Sequence, residues 1–188
     1  GASVGGLYRY FPSKEAIFVA LQRQAIDAFA QAQRDAVERA DYCAHGAPEQ
    51  VRTLVRVIAA FLAFLQEATR APTHHALIDA FLSAPTATLS EEQARAVDAY
   101  LSPILGYCGE LLQEASRSGA LDDGDAATRT HVLWAALHGL DHFRKRDRIQ
   151  PPSLHVDALT RTLLRALLAG WGGEVATIDQ AFAELGKP

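Results

Sequence analysis

Methionine is absent from this chain, and cysteine occurs only at Cys43 and Cys108. The two lie far apart and form no CxxC or metal-ligand spacing, which excludes a disulfide scaffold and a thiolate metal knuckle. They are expected to be reduced, small apolar side chains in a cytoplasmic protein. No stretch approaches the roughly 18 consecutive apolar residues of a membrane span, so no membrane association is expected. No signal-peptide pattern opens the chain. Period-two runs of β-branched residues are nearly missing, which leaves little to build strands from. A strong charge of either sign is lacking too: 18 Lys and Arg stand against 22 Asp and Glu, a net charge of −4. A whole-surface polyanion binder is thereby excluded, and any nucleic-acid surface must be local. Gly-rich phosphate loop, nucleophile elbow and acid–base carboxylate pair are all missing, so neither an enzyme nor a cofactor is expected.

What is present is helical. Ala, Leu and charged residues dominate the 188 positions, and apolar residues recur at helical spacing. Ser13 is a good N-cap, and Lys14 to about Asp41 reads as one long helix with Gln22, Arg23 and Asp27 on its polar side. Tyr42 to Ala47 is a loop, and Pro48 suits the first turn of a helix to about Thr69. Pro72 opens a short helix ending near Ser83, and Pro85 closes it. Ser90-Glu91-Glu92-Gln93 is a capping box for a helix to about Ser118, interrupted by Pro103 and stopped by Gly119. Asp122 to Asp125 precede a helix expected to reach Asp147. Pro151-Pro152 breaks the chain, Leu154 to Gly170 forms the next helix, and Glu174 to Leu185 a last one. The fold class is all-α, with about seven helices after the opening stretch.

The opening run, SVGGLYRYFPSK, fits no core helix. Gly5 and Gly6 stand together, although each costs a helix about 1 kcal/mol relative to Ala. Glycines permit close backbone approach to another surface, and Tyr8, Arg9, Tyr10 and Lys14 offer hydroxyl and cationic groups suited to phosphates. The run resembles the second half of the TetR-family DNA-binding motif, approximately AGVSxGxLYxHFxSKExL. Gly1, Ser3, Gly5, Leu7, Tyr8, Phe11, Ser13, Lys14 and Glu15 fall in register with it. LWAALHGL at 133–140 resembles, more weakly, the penultimate long helix of the AcrR-like branch.

The resemblance implies a helix-turn-helix whose first two helices precede Gly1. Residues 1–22 would be the last part of the DNA-binding domain, with a recognition helix at about 4–11. Residues 23–188 would be a ligand-binding and dimerisation domain. Val4, Gly5 and Gly6 would meet base edges, and Tyr8, Tyr10 and Lys14 would hold phosphates, Tyr10 replacing the family's usual His. The implied function is a DNA-binding transcriptional regulator, a repressor released from a palindromic double-stranded operator by a small, largely apolar or aromatic effector. Operator binding would need the helices before Gly1. The alternative is a helical ligand-sensing or interaction module without DNA binding.

The body supplies candidate pocket walls from its own residues. Phe61, Phe64 and Leu65 lie on one helix, and Leu77, Ile78 and Phe81 on the short one. Tyr100, Ile104 and Tyr107 surround Pro103, and Trp134 and His138, on the helix after Asp125, are further candidates. His74, His75 and Asp79 are candidate polar anchors, with a solvated helix start expected for the two histidines. On that helix Leu133, Ala136, Leu137, Leu140 and Phe143 form one stripe, and His131, Trp134, His138 and His142 lie near the opposite face. Helices at about 125–147 and 154–171 carry apolar surplus, and they match the family's dimer-forming pair, implying a homodimer. His138 and His142 have HxxxH spacing, but Gly139 stands where a zincin has Glu and a third ligand is not evident, so no metal is expected.

Overall fold

The computed structural model describes residues 10, 11, 13–83 and 90–186, with only the backbone at 81–83. Val4, Gly5, Gly6 and Tyr8, and with them the expected recognition helix, lie outside the described residues. Within them the protein is all-helical, with no strand. From Lys14 on, seven α-helices follow one another among the described residues: α1 (Lys14–Cys43), α2 (Glu49–Arg70), α3 (Pro72–Ser83), α4 (Glu91–Arg117), α5 (Ala126–Asp141), α6 (Val156–Gly170) and α7 (Val175–Leu185). Two short 3₁₀ stretches, Arg144–Ile149 and Pro152–Leu154, connect α5 to α6.

The starts of these helices follow from local chemistry. Ser13 Oγ accepts from the Ala16 N–H at 3.2 Å, satisfying one of the donors that a helix start leaves over. At Ser90 the reciprocal box is complete: Ser90 Oγ accepts from Gln93 N–H, and the Gln93 side chain accepts from Ser90 N–H. Asp125 caps α5 through the Ala127 N–H. α4 continues through Pro103.

α2 is the axis of the molecule and packs against α1, α3, α4, α5 and α7. Val51, Leu54, Val55, Val57, Ile58, Ala60, Phe61, Phe64 and Leu65 are all buried, more than one face of a helix can hold. Each large side chain so buried contributes roughly 1.5–3 kcal/mol of transfer free energy. Two glutamines cross-tie this core. Gln33 Nε2 donates to Ala60 O at 3.1 Å and lies 3.3 Å from Cys108 Sγ, joining α1 to α2 and α4. Gln22 Nε2 donates to Leu77 O at 2.9 Å, joining α1 to α3. Gln22 therefore corrects its polar, solvent-facing assignment: it is completely buried, with its Nε2 satisfied by the Leu77 carbonyl and its Oε1 left without a partner among the described residues.

The helix after Asp125 also departs from expectation. It stops at Asp141 rather than Asp147. Phe143 N–H bonds to Leu140 O and Arg146 N–H to Phe143 O, the tighter i→i−3 pattern. Side chains hold the ending. Arg144 Nε folds back onto Asp141 at 2.9 Å, and the Asp147 carboxylate accepts the Val156 N–H that opens α6. An aspartate bonded to the next helix's first donor cannot stay on the surface of the previous one.

Candidate functional site

Four helices bring aromatic and imidazole rings together beside α2. Phe29 comes from α1, Phe64 from α2, His75 from α3, and Trp134 and His138 from α5. Phe64 is the hub. Its ring centroid lies 6.0 Å from Phe29 edge-on, 4.8 Å from His75, 5.4 Å from Trp134 and 4.3 Å from His138. Trp134 and His138, one turn apart, stand 4.5 Å apart, and Phe29 is 6.4 Å from Trp134. The i,i+4 spacing on α5 stacks the last two on one side of the helix.

The two buried histidines differ in their polar partners. His138 Nδ1 lies 2.9 Å from Trp134 O, a group that can only accept, so the ring proton sits on Nδ1. Nε2 is then a bare acceptor, buried and without a partner among the described residues. Burial lowers the pKa of His138, outweighing the Trp134 carbonyl and the nearby carboxylates of Asp79 and Asp141, which favour the cation. His75 Nε2 instead bonds Asp141 Oδ2 at 2.9 Å. Asp141 is held on its other oxygen by Arg144. Burial pushes its carboxyl up, but the His75 and Arg144 bonds prevail and carry it down to about 2. A second link, His142 Nε2 to Asp79 Oδ1 at 3.6 Å, also joins the end of α5 to α3. The arrangement is a packed apolar, aromatic cluster carrying one neutral acceptor, tied to α3 by the His75–Asp141 and His142–Asp79 contacts and from α3 to α1 through Gln22.

The structure brings together three of the expected ligand residues, Phe64, Trp134 and His138. Phe61, Leu65 and Ile104 are buried in the continuous core. Leu77, Tyr100 and Tyr107 are half-buried against that core. Arg23 stacks 5.2 Å over the Tyr100 ring, and burial raises the Tyr107 hydroxyl above its ordinary pKa. The Phe81 side chain lies outside the described residues. Of the expected DNA-binding residues, Tyr10 is 81% exposed and Lys14 is exposed at the start of α1. His75 corrects the solvated reading given to it: its bond to Asp141 holds it inside. The expected face opposition on α5 is also corrected. Trp134 and His138 are buried with Leu133 and Leu137, whereas His131 and His142 are exposed, so HxxxH points its two rings into different surroundings.

Cavities lined by described residues open elsewhere. One of about 330 Å³ runs between α4 and α5 over Gly106, Gly109 and Thr130. Another, of about 260 Å³, lies where α1, α2 and α7 meet. The residues missed from sequence are Phe29, Gln22 and Asp141. Phe29 carries the helical apolar spacing of α1; Asp141 stands beside His142 in the HxxxH pattern, but nothing in the sequence marks it or Gln22 as a partner of α3. No protein-family model matches the chain, and no curated protein and no solved structure matches it.

Proposed function

We propose that the protein is a TetR-like, DNA-binding transcriptional regulator whose DNA affinity is set by a small ligand held in the helical body. One observation carries the reading: the sequence run LYRYFPSKE, Leu7 to Glu15, ends inside a 30-residue helix that is capped by the run's own Ser13. A recognition segment that leads directly into a long helix of the core is a segment that the body can move. Tyr10 and Lys14 are exposed where that helix begins, as phosphate contacts require.

The cluster around Phe64 is the ligand site in this reading, and since its rings pack on one another a ligand would have to part them. Its lining suits an apolar or aromatic body, and His138 Nε2 suits a hydrogen-bond donor on that body. Any shift of α3 that accompanies binding reaches α1 through the Gln22–Leu77 bond, eight residues beyond Lys14. The ligand then favours one of two conformers by its difference in affinity for them. The pair α5 and α6 forms the dimer face. Val132, Ala135 and Gly139 are exposed along α5, and Thr162, Ala166 and Gly170 along α6. A Cβ placed at Gly139 or Gly170 would meet nothing within 4 Å, so the fold of one chain does not call for glycine at either place. Glycine at these places leaves room for a second backbone to come close.

The test is Tyr8→Phe combined with Lys14→Ala in the intact protein. The reading expects weaker binding to all duplex DNA and a shallower dependence on salt, because phosphate contacts carry no sequence information. Unchanged affinity and unchanged slope would remove both residues from the DNA surface.

A further inference from the structure

The 3₁₀ stretch after α5 reads RKRDRI and concentrates positive charge in a chain that is negative overall. Lys145, Arg146 and Arg148 are exposed and make no ion pair among the described residues. Arg146 stacks 5.7 Å over the ring of Phe143. The neighbouring carboxylates are engaged elsewhere: Asp147 accepts the Val156 N–H at 3.1 Å, and Asp141 holds His75 and Arg144. Three outward cations therefore sit within four residues on a turn whose backbone is fixed at both ends.

Contacts across the core place this turn. Phe29 on α1 meets Trp134 on α5. Seven residues back along α1 is Gln22, bonded to Leu77 on α3; seven residues forward along α5 is Asp141, bonded to His75 on α3. Equal steps in opposite directions, about 10 Å each, reach the same short helix two residues apart. α1 and α5 thus run in opposite directions past one another. The start of α1 and the end of α5 project from the same end of the body, Lys14 eight residues beyond Gln22 and the basic turn three to seven beyond Asp141.

We infer that Lys145, Arg146 and Arg148 form a second phosphate-contacting surface, which grips the backbone of double-stranded DNA beside the segment that includes Tyr10 and Lys14. This rests on the DNA-binding reading given above. As phosphate contacts, these cations add affinity without sequence preference, since phosphates carry no sequence information. Exposed Phe143, Ile149 and Leu154 flank the turn, a mixture that an anionic membrane surface would also accept. Placement at the Lys14 end favours DNA.

The experiment is a salt titration of duplex binding by the intact protein, using a random-sequence duplex and fluorescence anisotropy. The triple variant Lys145→Gln, Arg146→Gln, Arg148→Gln is compared with parent and with a control, Arg34→Gln, Arg39→Gln, Arg117→Gln. The control makes the same change in net charge far from the turn. All six positions are exposed, and the variants' thermal melts report that folding is intact. The turn variant should lower the slope of log K against log salt by about 2 to 3, near 0.9 for each phosphate no longer neutralised, while the control lowers it by less than about 1. Equal slopes for turn variant and parent overturn the inference and leave the DNA-binding reading standing. No salt-dependent binding by the parent overturns both. Loss of binding to phosphatidylglycerol vesicles in the turn variant, with the DNA slope unchanged, assigns the turn to a membrane surface and also overturns it.

Discussion

Replacing Asp141 by asparagine should cost stability at neutral pH and almost none in strong acid. The carboxylate is 19% exposed and accepts from His75 Nε2 and Arg144 Nε at 2.9 Å each. Its fall from an ordinary 3.8 to about 2 corresponds to about 2 kcal/mol of folding free energy. The sign follows from the unfolded chain, which takes up the proton first. Above about pH 4 both states are ionised and the stabilisation is complete; between about pH 4 and pH 2 it drains away. An asparagine at this position can offer one acceptor oxygen but turns its amide hydrogens towards the other donor, so the pair cannot be restored. The variant should melt about 4–8 °C lower at pH 7, on the scaling for a chain of this size. Urea unfolding followed by circular dichroism at pH 7, 5, 4 and 3 measures both parts. Parent and variant curves should converge as the pH falls. If they run parallel from pH 7 to pH 3, the His75–Asp141–Arg144 cluster is not the source of the effect.

Other consequences of the packing are open to direct measurement. Phe64→Ala removes the ring shared by Phe29, His75, Trp134 and His138 and should cost about 3–5 kcal/mol in denaturant unfolding; a cost under about 1 kcal/mol would mean that the cluster is loosely packed. Gly139→Ala should stabilise the single chain by up to about 1 kcal/mol, because the methyl meets nothing. The same change should shift the monomer–dimer equilibrium towards monomer in sedimentation if α5 is the dimer face; tighter association would put the dimer elsewhere. Cys108 is buried and its thiol is pushed up to about 12 by that burial, whereas Cys43 is exposed. A thiol reagent at pH 8 should therefore add one label per native chain and two per denatured chain. Two rapid labels on the native chain would contradict the packing of Gln33 against Cys108.

Local chemistry was legible from sequence, and tertiary partners were not. Ser13 and the Ser90 box mark helix starts because the cap lies within three residues of the donor it satisfies, and Pro72 marks one because its fixed φ suits the first turn. The apolar residues of α2 likewise recur around more than one face, a pattern that fits its interior place. The errors share a cause. Gln22 and His75 look like surface residues until Leu77 and Asp141, 55 and 66 residues away, supply their partners. The helix expected to reach Asp147 ends early because Asp147 bonds the next helix, a contact nine residues ahead that no propensity encodes. Phe64, Trp134 and His138 could be named as a group of aromatic and imidazole side chains, but Phe61, Leu65 and Ile104 carry the same signature and are ordinary core. Composition does not separate a cage from the core around it. What sets this cluster apart is a buried acceptor without a partner among its rings, His138 Nε2.

The most direct test of the central claim is selection of duplex DNA from a random pool by the intact protein. A TetR-like dimer should enrich an inverted repeat, with half-sites one helical turn of about 10–10.5 base pairs apart or a multiple of it, and Lys14→Ala should weaken binding to that repeat. Enrichment of no sequence, with binding that neither salt nor Lys14 affects, would contradict the account and leave a helical body that senses or docks without reading DNA.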